Sequence, residues 1–244
     1  MIKAYAKSDI GKVRDINQDY YYISTSLDEV QLYMLADGMG GYKGGEVASK
    51  LAIQSAKSYI ENNFKEIPKD KESIIQLVGS SMEYANMVVY EKSKEDSELE
   101  GMGTTLEVCL IYNNRAFIGH VGDSRIYRIR KEFMRKLTQD HSYVQKLVKD
   151  GTITQEQAAH HPQKNMLMKA LGCNAFVEPD VMVKGFLKDD ILIINSDGLT
   201  NLVSQEEIFK WAKKDIEQAP KELVKLANDN GGYDNITVIV IKNI

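Results

Sequence analysis

Along the chain, apolar positions fall into two kinds of pattern that come in blocks. Residues 30–36, 191–194 and 236–241 are apolar at nearly every position, whereas a strand with one wet face would alternate strictly. Such runs predict strands covered on both faces. Elsewhere the period lengthens: Val47, Ala48, Leu51, Ala52, Ala56 and Tyr59 mark one helical face, and Ile74, Leu77, Val78, Met82, Ala85, Val88 and Val89 mark a second. Two consecutive long amphipathic helices are predicted there. Further on, Ser204 with Glu207 makes a capping-box pattern ahead of Ile208, Phe209, Trp211 and Ala212, and Leu223, Val224, Leu226 and Ala227 mark another helix. Strand patterns dominate residues 104–130 and return at the end of the chain. Paired helices and doubly covered strands predict an α+β layered domain, with sheets packed on each other and helices outside.

Residues 140–175 break this rhythm. Two short capped helical pieces, 142–149 and 154–159, precede His160, His161 and Pro162, and then the run from Met166 to Gly172. The pattern predicts a surface insertion, a flap over about 141–172, which fits a recognition lid and a structural connection equally. Four unclustered prolines, with no Gly/Ser-rich stretch and no internal period, argue for one domain over 1–244.

Charge and composition then remove classes of function. A net charge of -4 and a pI near 5.7 argue against a general nucleic-acid binder, which needs surplus Lys and Arg for phosphate backbones. The first nine residues lack the apolar core of a signal peptide, and no run is long enough to cross a bilayer, so no membrane insertion and a cytoplasmic location are expected. Cys109 and Cys173 lack metal or redox spacing and read as reduced thiols.

Candidate chemistry lies in five aspartates, Asp19, Asp37, Asp123, Asp197 and Asp234, placed where short apolar runs give out. Only four histidines are present, His120, His141, His160 and His161, so an oxygen site selecting magnesium or manganese is favoured over zinc. Each Asp-Gly pair alone signals a turn; the set signals a metal site. Two carboxylate-held metals can activate a bridging water against phosphorus, the chemistry of phosphoester hydrolysis. Arg14, five residues before Asp19, supplies a guanidinium suited to anchor the phosphate. Rival chemistries fit poorly. Cys109 and Arg115 satisfy C-x5-R, but the strand-like residues between them include no glycine to shape an anion cradle. No early Asp-x-Asp is present to form an aspartyl-phosphate, and the glycine-rich stretch 40–45 lacks the Ser or Thr after lysine that a nucleotide loop requires.

In order and spacing, Gly11-Lys12-Val13-Arg14-Asp15-Ile16-Asn17-Gln18-Asp19, Ala36-Asp37-Gly38-Met39-Gly40-Gly41, Gly101-Met102-Gly103-Thr104-Thr105, Gly119-His120-Val121-Gly122-Asp123-Ser124-Arg125, Ser196-Asp197-Gly198-Leu199 and Asp234-Asn235-Ile236-Thr237 resemble the metal-dependent type 2C protein serine/threonine phosphatases, the PPM family. The resemblance spans the chain. With His161-Pro162 and Asn165 ahead of Ala170-Leu171-Gly172 and no extra domain, it is strongest to the compact bacterial form that opposes membrane-anchored Ser/Thr kinases. It implies a central β-sandwich of two antiparallel sheets flanked by pairs of α-helices, with a flap insertion.

The resemblance also implies hydrolysis of phosphoserine and phosphothreonine by a metal-bridging water, with Mn2+ or Mg2+ as cofactor. Asp37 would bridge two core ions, with the Gly38 carbonyl on one. Asp197 and Asp234 would complete the other, Asp19 would serve the Gly38-side ion directly or through water, and Asp123 with Asp197 would hold a third, weaker ion. Arg14 would bind the substrate phosphate, which makes Arg14, Asp37 and Asp197 the catalytic set. The implied partners are phosphorylated proteins, among them a Ser/Thr kinase and its substrates, met by a monomer. Two positions depart from the eukaryotic-type pattern: Gln18 stands where a glutamate is common, and Met39 where a histidine that donates a proton is common. Methionine cannot donate one, which leaves a metal-bound water or His161 of the flap, a candidate substrate contact. The alternative from another class is a phosphoprotein-binding adaptor of the same fold.

Overall fold

Strand pairing sorts the chain into two antiparallel sheets. The computed structural model describes residues 1–25, 30–40 and 44–244. In chain order its strands are β1 (Ile2–Asp9), β2 (Asp19–Ile23), β3 (Gln31–Met39), β4 (Gly103–Thr104), β5 (Leu106–Tyr112), β6 (Arg115–Val121), β7 (Arg125–Arg130), β8 (Phe133–Lys136), β9 (Asp180–Gly185), β10 (Ile191–Asn195) and β11 (Ile236–Asn243). Its helices are α1 (Gly44–Asn63), α2 (Lys71–Glu95), α3 (Tyr143–Lys149), α4 (Gln155–Ala159), α5 (Asp197–Thr200), α6 (Gln205–Lys214) and α7 (Ala219–Asp229). One sheet runs β1-β11-β10-β7-β8; the other runs β2-β3-β5-β6-β9, with β4 added beside β3.

The doubly apolar strands face two different cores. In β3, Tyr33 and Leu35 point between the sheets, where they meet Ile194, Ile239 and Ile241, while Leu32, Met34 and Ala36 face α1 and α2. In β10 and β11, Ile191, Ile193, Val238 and Val240 face α6 and α7 on the opposite outer surface. Three cores therefore separate four layers, helix on sheet on sheet on helix, as the expected sandwich requires. Among the described residues, no helix is long and apolar enough to cross a membrane.

The short helices follow their caps. Ser142 accepts from the Gln145 amide ahead of α3, and Thr154 with Gln157 makes a reciprocal capping box on α4. At α6 only half the expected box forms: Ser204 accepts from the Glu207 amide, with no return bond from the Glu207 side chain. Four strands escaped the sequence pattern. Strand β1 is half-buried except at exposed Lys3 and Lys7, β2 is tyrosine-rich and five residues long, β8 has only four residues, and β9 is half-buried almost throughout.

Period-2 geometry places the candidate chemistry. Residues two apart share a face, so Asp37 continues the inter-sheet row of Tyr33 and Leu35, and Asp19 continues that of Tyr21 and Ile23. Ser196 follows Leu192 and Ile194 in phase, and Thr237 precedes Ile239 and Ile241. At one end of the sandwich, the inter-sheet core changes from apolar to polar without changing register.

Candidate active site

Asp19 and Asp37 sit directly opposite each other in the β2–β3 register, which puts their Cα atoms roughly 5 Å apart. The backbone of Asp37 is held on both sides. Its N–H donates to Thr105 Oγ1 at 2.9 Å, and its carbonyl accepts from the Thr105 amide and the Thr104 hydroxyl, each at 2.9 Å. Gly38 donates to the Gln18 carbonyl at 3.1 Å, and a Cβ at Gly38 would stand 2.0 Å from the Gly45 carbonyl oxygen. Only glycine fits between β3 and the start of α1.

The other three carboxylates arrive from turns at the same end. Asp197 opens α5 immediately after β10, and its Oδ2 accepts from Asn201 Nδ2 at 3.0 Å. Asp234 accepts from the Asn235 amide at 2.9 Å and from Arg14 Nη2 at 2.9 Å. Asn235 then closes the site from behind, donating to the Ile10 and Ile16 carbonyls and accepting from the Gln18 amide. Asp123 follows β6 across Gly122, and the Ser124 hydroxyl beside it shares a 2.8 Å bond with Thr105 Oγ1. Thr105 thus ties the Asp37 strand to the Asp123 turn.

This gathering of like charge has an electrostatic signature. Burial, followed by repulsion from Asp19, Asp197, Asp123 and Asp234, holds the Asp37 pKa well above the usual carboxylate range. Burial raises Asp19 to about 7, with Asp197 and Asp234 adding to the rise and the Ser196 hydroxyl opposing it. Thr237 eases Asp19 as well, although its hydroxyl is engaged with Ser8 at 2.7 Å. Asp123 is pushed to about 8 by burial and by Asp197 and Asp140, and burial with Asp234 raises Asp197. Raised carboxylate pKa values of this kind mark a site suited to a cation.

The donor set fits a hard divalent ion. All the side-chain donors are carboxylate oxygens, and Asp19 Oδ1 is buried without a hydrogen-bond partner, although Asp19 Oδ2 accepts from Ser196 at 2.7 Å. Oxygen donors at the rim of a rigid sandwich are what magnesium and manganese require. Among the described residues, no three Asp, Glu, His or Cys side chains close on one point as a finished ligand group.

A cleft of about 670 Å³ opens over these groups, lined by Arg14, Gln18, Asp37, Gly38, Met39, Asp123, Asp197 and Asp234, with Asn165 and Leu167 from the flap. Arg14 is half-exposed at its mouth, and burial of its charge is outweighed by the bond to Asp234. Asp19 lies beneath the cleft rather than in its lining. His161 is not among the lining residues; its Nδ1 accepts from the Gln163 amide at 3.1 Å and its ring lies 6.1 Å from that of Tyr143. Gln18 turns its side chain toward the Gly40 carbonyl and Gly45. The remainder of the Asp-Gly loop, 41–43, lies outside the described residues. Cys109 is buried between the sheets, where desolvation pushes its thiol pKa up, the reverse of an activated nucleophile.

Several positioning residues carried no assigned role in the sequence. Thr104, Thr105, Ser196 and Asn235 stood inside the quoted motifs, but their bonds join positions 67, 68, 177 and 217 residues apart. Their one local signal is a hydroxyl or amide beside a candidate ligand.

The family described as protein phosphatase 2C matches residues 12–225. The protein phosphatase PhpP of Streptococcus pneumoniae is 38% identical over 237 residues, 96% of this chain and 94% of its own. Among solved structures, the serine/threonine phosphatase Stp1 from Staphylococcus aureus superposes with a TM-score of 0.91 at 37% identity, covering 100% of this chain and 96% of that one. The catalytic domain of the serine threonine protein phosphatase PstP, solved in complex with 2 manganese ions, gives a TM-score of 0.86 at 34% identity, covering 99% and 97%.

Proposed function

Since the chain belongs to the protein phosphatase 2C family and is a metal-dependent protein serine/threonine phosphatase, we propose that Asp19, Asp37, the Gly38 carbonyl, Asp197 and Asp234 hold two core ions. Asp123 with Asp197 holds a third. The observation that carries this reading is the convergence of five carboxylates, four with raised pKa values, at the polar end of the inter-sheet core. Manganese and magnesium both suit the donors. When bound, such ions lower the pKa of water and neutralise charge on a phosphoryl group.

The chain's own residues do the rest. Arg14, held by Asp234 through one nitrogen, presents its remaining N–H donors to the phosphate of a phosphoserine or phosphothreonine side chain. Asp37, Asp197 and Arg14 make up the catalytic set. Met39 lines the cleft but cannot donate a proton, so the leaving alkoxide takes one from water. His161 acts on the substrate polypeptide outside the cleft. Phosphorylated proteins are the substrates, those of an opposing bacterial Ser/Thr kinase among them, and a single 1–244 domain works as a cytoplasmic monomer.

Arg14→Ala lowers kcat/KM for a phosphothreonine peptide by about 10- to 100-fold, chiefly through KM, because a charge-assisted hydrogen bond is worth about 1.5–3 kcal/mol. Arg14→Lys recovers only part, since a point charge cannot reproduce the planar fork. Steady-state kinetics on the three proteins decide it; an unchanged KM in Arg14→Ala removes the phosphate-anchor role.

The flap over about 141–172 contributes Asn165 and Leu167 to the cleft, which supports a role in choosing the polypeptide. Exchange of that segment for a relative's changes the ranking of phosphopeptides and leaves hydrolysis of a small aryl phosphate nearly intact. Equal loss of both activities argues for a structural role instead.

A further inference from the structure

Behind the Asp123 turn lies a chain of polar groups for which the reaction has no evident use. Glu107 and His120, register partners across β5 and β6, are fully buried and share a 2.5 Å hydrogen bond. His120 reaches the Gln139 carbonyl at 2.9 Å through Nε2, and its ring packs 4.6 Å from that of His141. His141 begins the flap and makes four polar contacts. Its N–H donates to the Gly122 carbonyl at 2.7 Å, and its Nδ1 accepts from the Gly122 N–H at 3.2 Å. Its carbonyl accepts from the Met168 N–H at 2.7 Å, and its Nε2 lies 3.3 Å from Asp180 Oδ2.

We propose that His141 is a positioning residue for Asp123, gripping the peptides on both sides of Gly122 so that the Asp123 carboxylate and the two ends of the flap are held as one unit. This rests on Asp123 being a ligand of the accessory ion. Gly122 adopts φ +117°, and a Cβ there would meet Thr105 side-chain carbons at 2.5 Å. No side chain can brace that turn, so hydrogen bonds from outside must do so. Downstream of Asp123 the Ser124–Thr105 hydroxyl bond fixes the chain; upstream, both bonds to Gly122 come from His141. An Nδ1 that accepts puts the ring proton on Nε2, facing Asp180, so the network sets the tautomer. Met168, at the far end of the flap, hangs on the same residue. Groups behind a metal ligand that fix its orientation are worth about 10- to 100-fold in metal affinity.

Asparagine and glutamine separate this role from simple packing. Asparagine places its Oδ1 where Nδ1 sits and can accept the Gly122 N–H; glutamine carries its amide one bond further out, toward Asp180. Manganese binding to the purified, metal-stripped protein is followed by electron paramagnetic resonance, with peptide kcat and KM and thermal unfolding measured in parallel. His141→Gln is expected to weaken the weakest manganese-binding step about tenfold, as Asp123→Ala weakens or abolishes it, while His141→Asn stays near wild type. If Asp123→Ala weakens that step and His141→Gln does not, the positioning role is overturned while Asp123 keeps its place as a ligand. If His141→Asn binds manganese as poorly as His141→Gln, the acceptor at Nδ1 is not what matters and the proposal fails. If Asp123→Ala leaves manganese binding unchanged, the ligand reading of Asp123 falls and the proposal falls with it.

Discussion

Asp37→Ala lowers kcat/KM for a phosphothreonine peptide by on the order of 10³-fold, a loss of about 4 kcal/mol in transition-state stabilisation, yet leaves the metal-free protein at least as stable as wild type. The two halves of that expectation have one cause. Asp37 faces the inter-sheet core opposite Asp19, and burial with four neighbouring carboxylates holds its pKa high. A carboxylate there strains the metal-free fold, because buried like charges repel and are poorly solvated. Removing it relieves that strain and deletes the carboxylate proposed to serve both core ions. Its strand keeps its place, because Thr104 and Thr105 bond to the Asp37 backbone rather than to its side chain. Steady-state kinetics with manganese, together with urea unfolding in chelator at about pH 8, checks both halves. A variant that is inactive because it has unfolded contradicts the account as much as an active one does.

Stripped of divalent ions, the protein loses stability as pH rises from about 4 to about 8, and manganese returns much of the loss. Burial lifts Asp19 from 3.8 to about 7 and Asp123 to about 8, and lifts Glu107 from 4.5 to about 7, with neighbouring carboxylates adding to each rise. A carboxyl with a folded-state pKa above its unfolded value keeps its proton in the fold after the unfolded chain has released it. Its contribution is therefore complete below about pH 4 and is withdrawn as pH climbs through the folded value. For Asp19 alone the interval corresponds to on the order of 4 kcal/mol. Two groups run the other way. Despite its burial, Arg125 and Lys136 lower the Asp140 pKa, so its contribution is lost only in acid, below this window. Burial lowers His141 from 6.5 to about 4, which offsets part of the loss over the lower half of the window without matching the several carboxyls. Manganese at about 100 times its dissociation constant returns about 2.7 kcal/mol per site. Urea denaturation at about pH 5 and pH 8, each with chelator and with manganese, measures all four values. Metal-free stability that is flat or rising across that range contradicts the expectation.

Much of this was legible in the chain because periodicity survives folding. The faces of α1, α2 and α7 and the doubly covered runs of β3, β10 and β11 lie where their apolar patterns place them. Strands β1, β2 and β9 were hidden because each is half-buried, so its residues carry no strong contrast between faces. The five aspartates were visible at the ends of apolar runs, but why they converge was not. That follows from parity: Asp19 and Asp37 occupy inter-sheet positions at the level where Tyr21, Leu35 and Ile194 give way to polar groups. The bonds from Thr105 to Asp37, Ser196 to Asp19 and Asn235 to Gln18 join distant segments, and no local pattern encodes such pairs. Likewise, nothing in the order of residues 160–167 indicates that Asn165 and Leu167, rather than His161, line the cleft.

The most direct test uses the wild-type protein, stripped of metal and given a phosphothreonine peptide while manganese is added and then chelated. Phosphate release should be absent at the start, rise with manganese and vanish on chelation. Release that persists through chelation would contradict a reaction dependent on these carboxylates, and tight peptide binding without release at any manganese concentration would make the protein an adaptor.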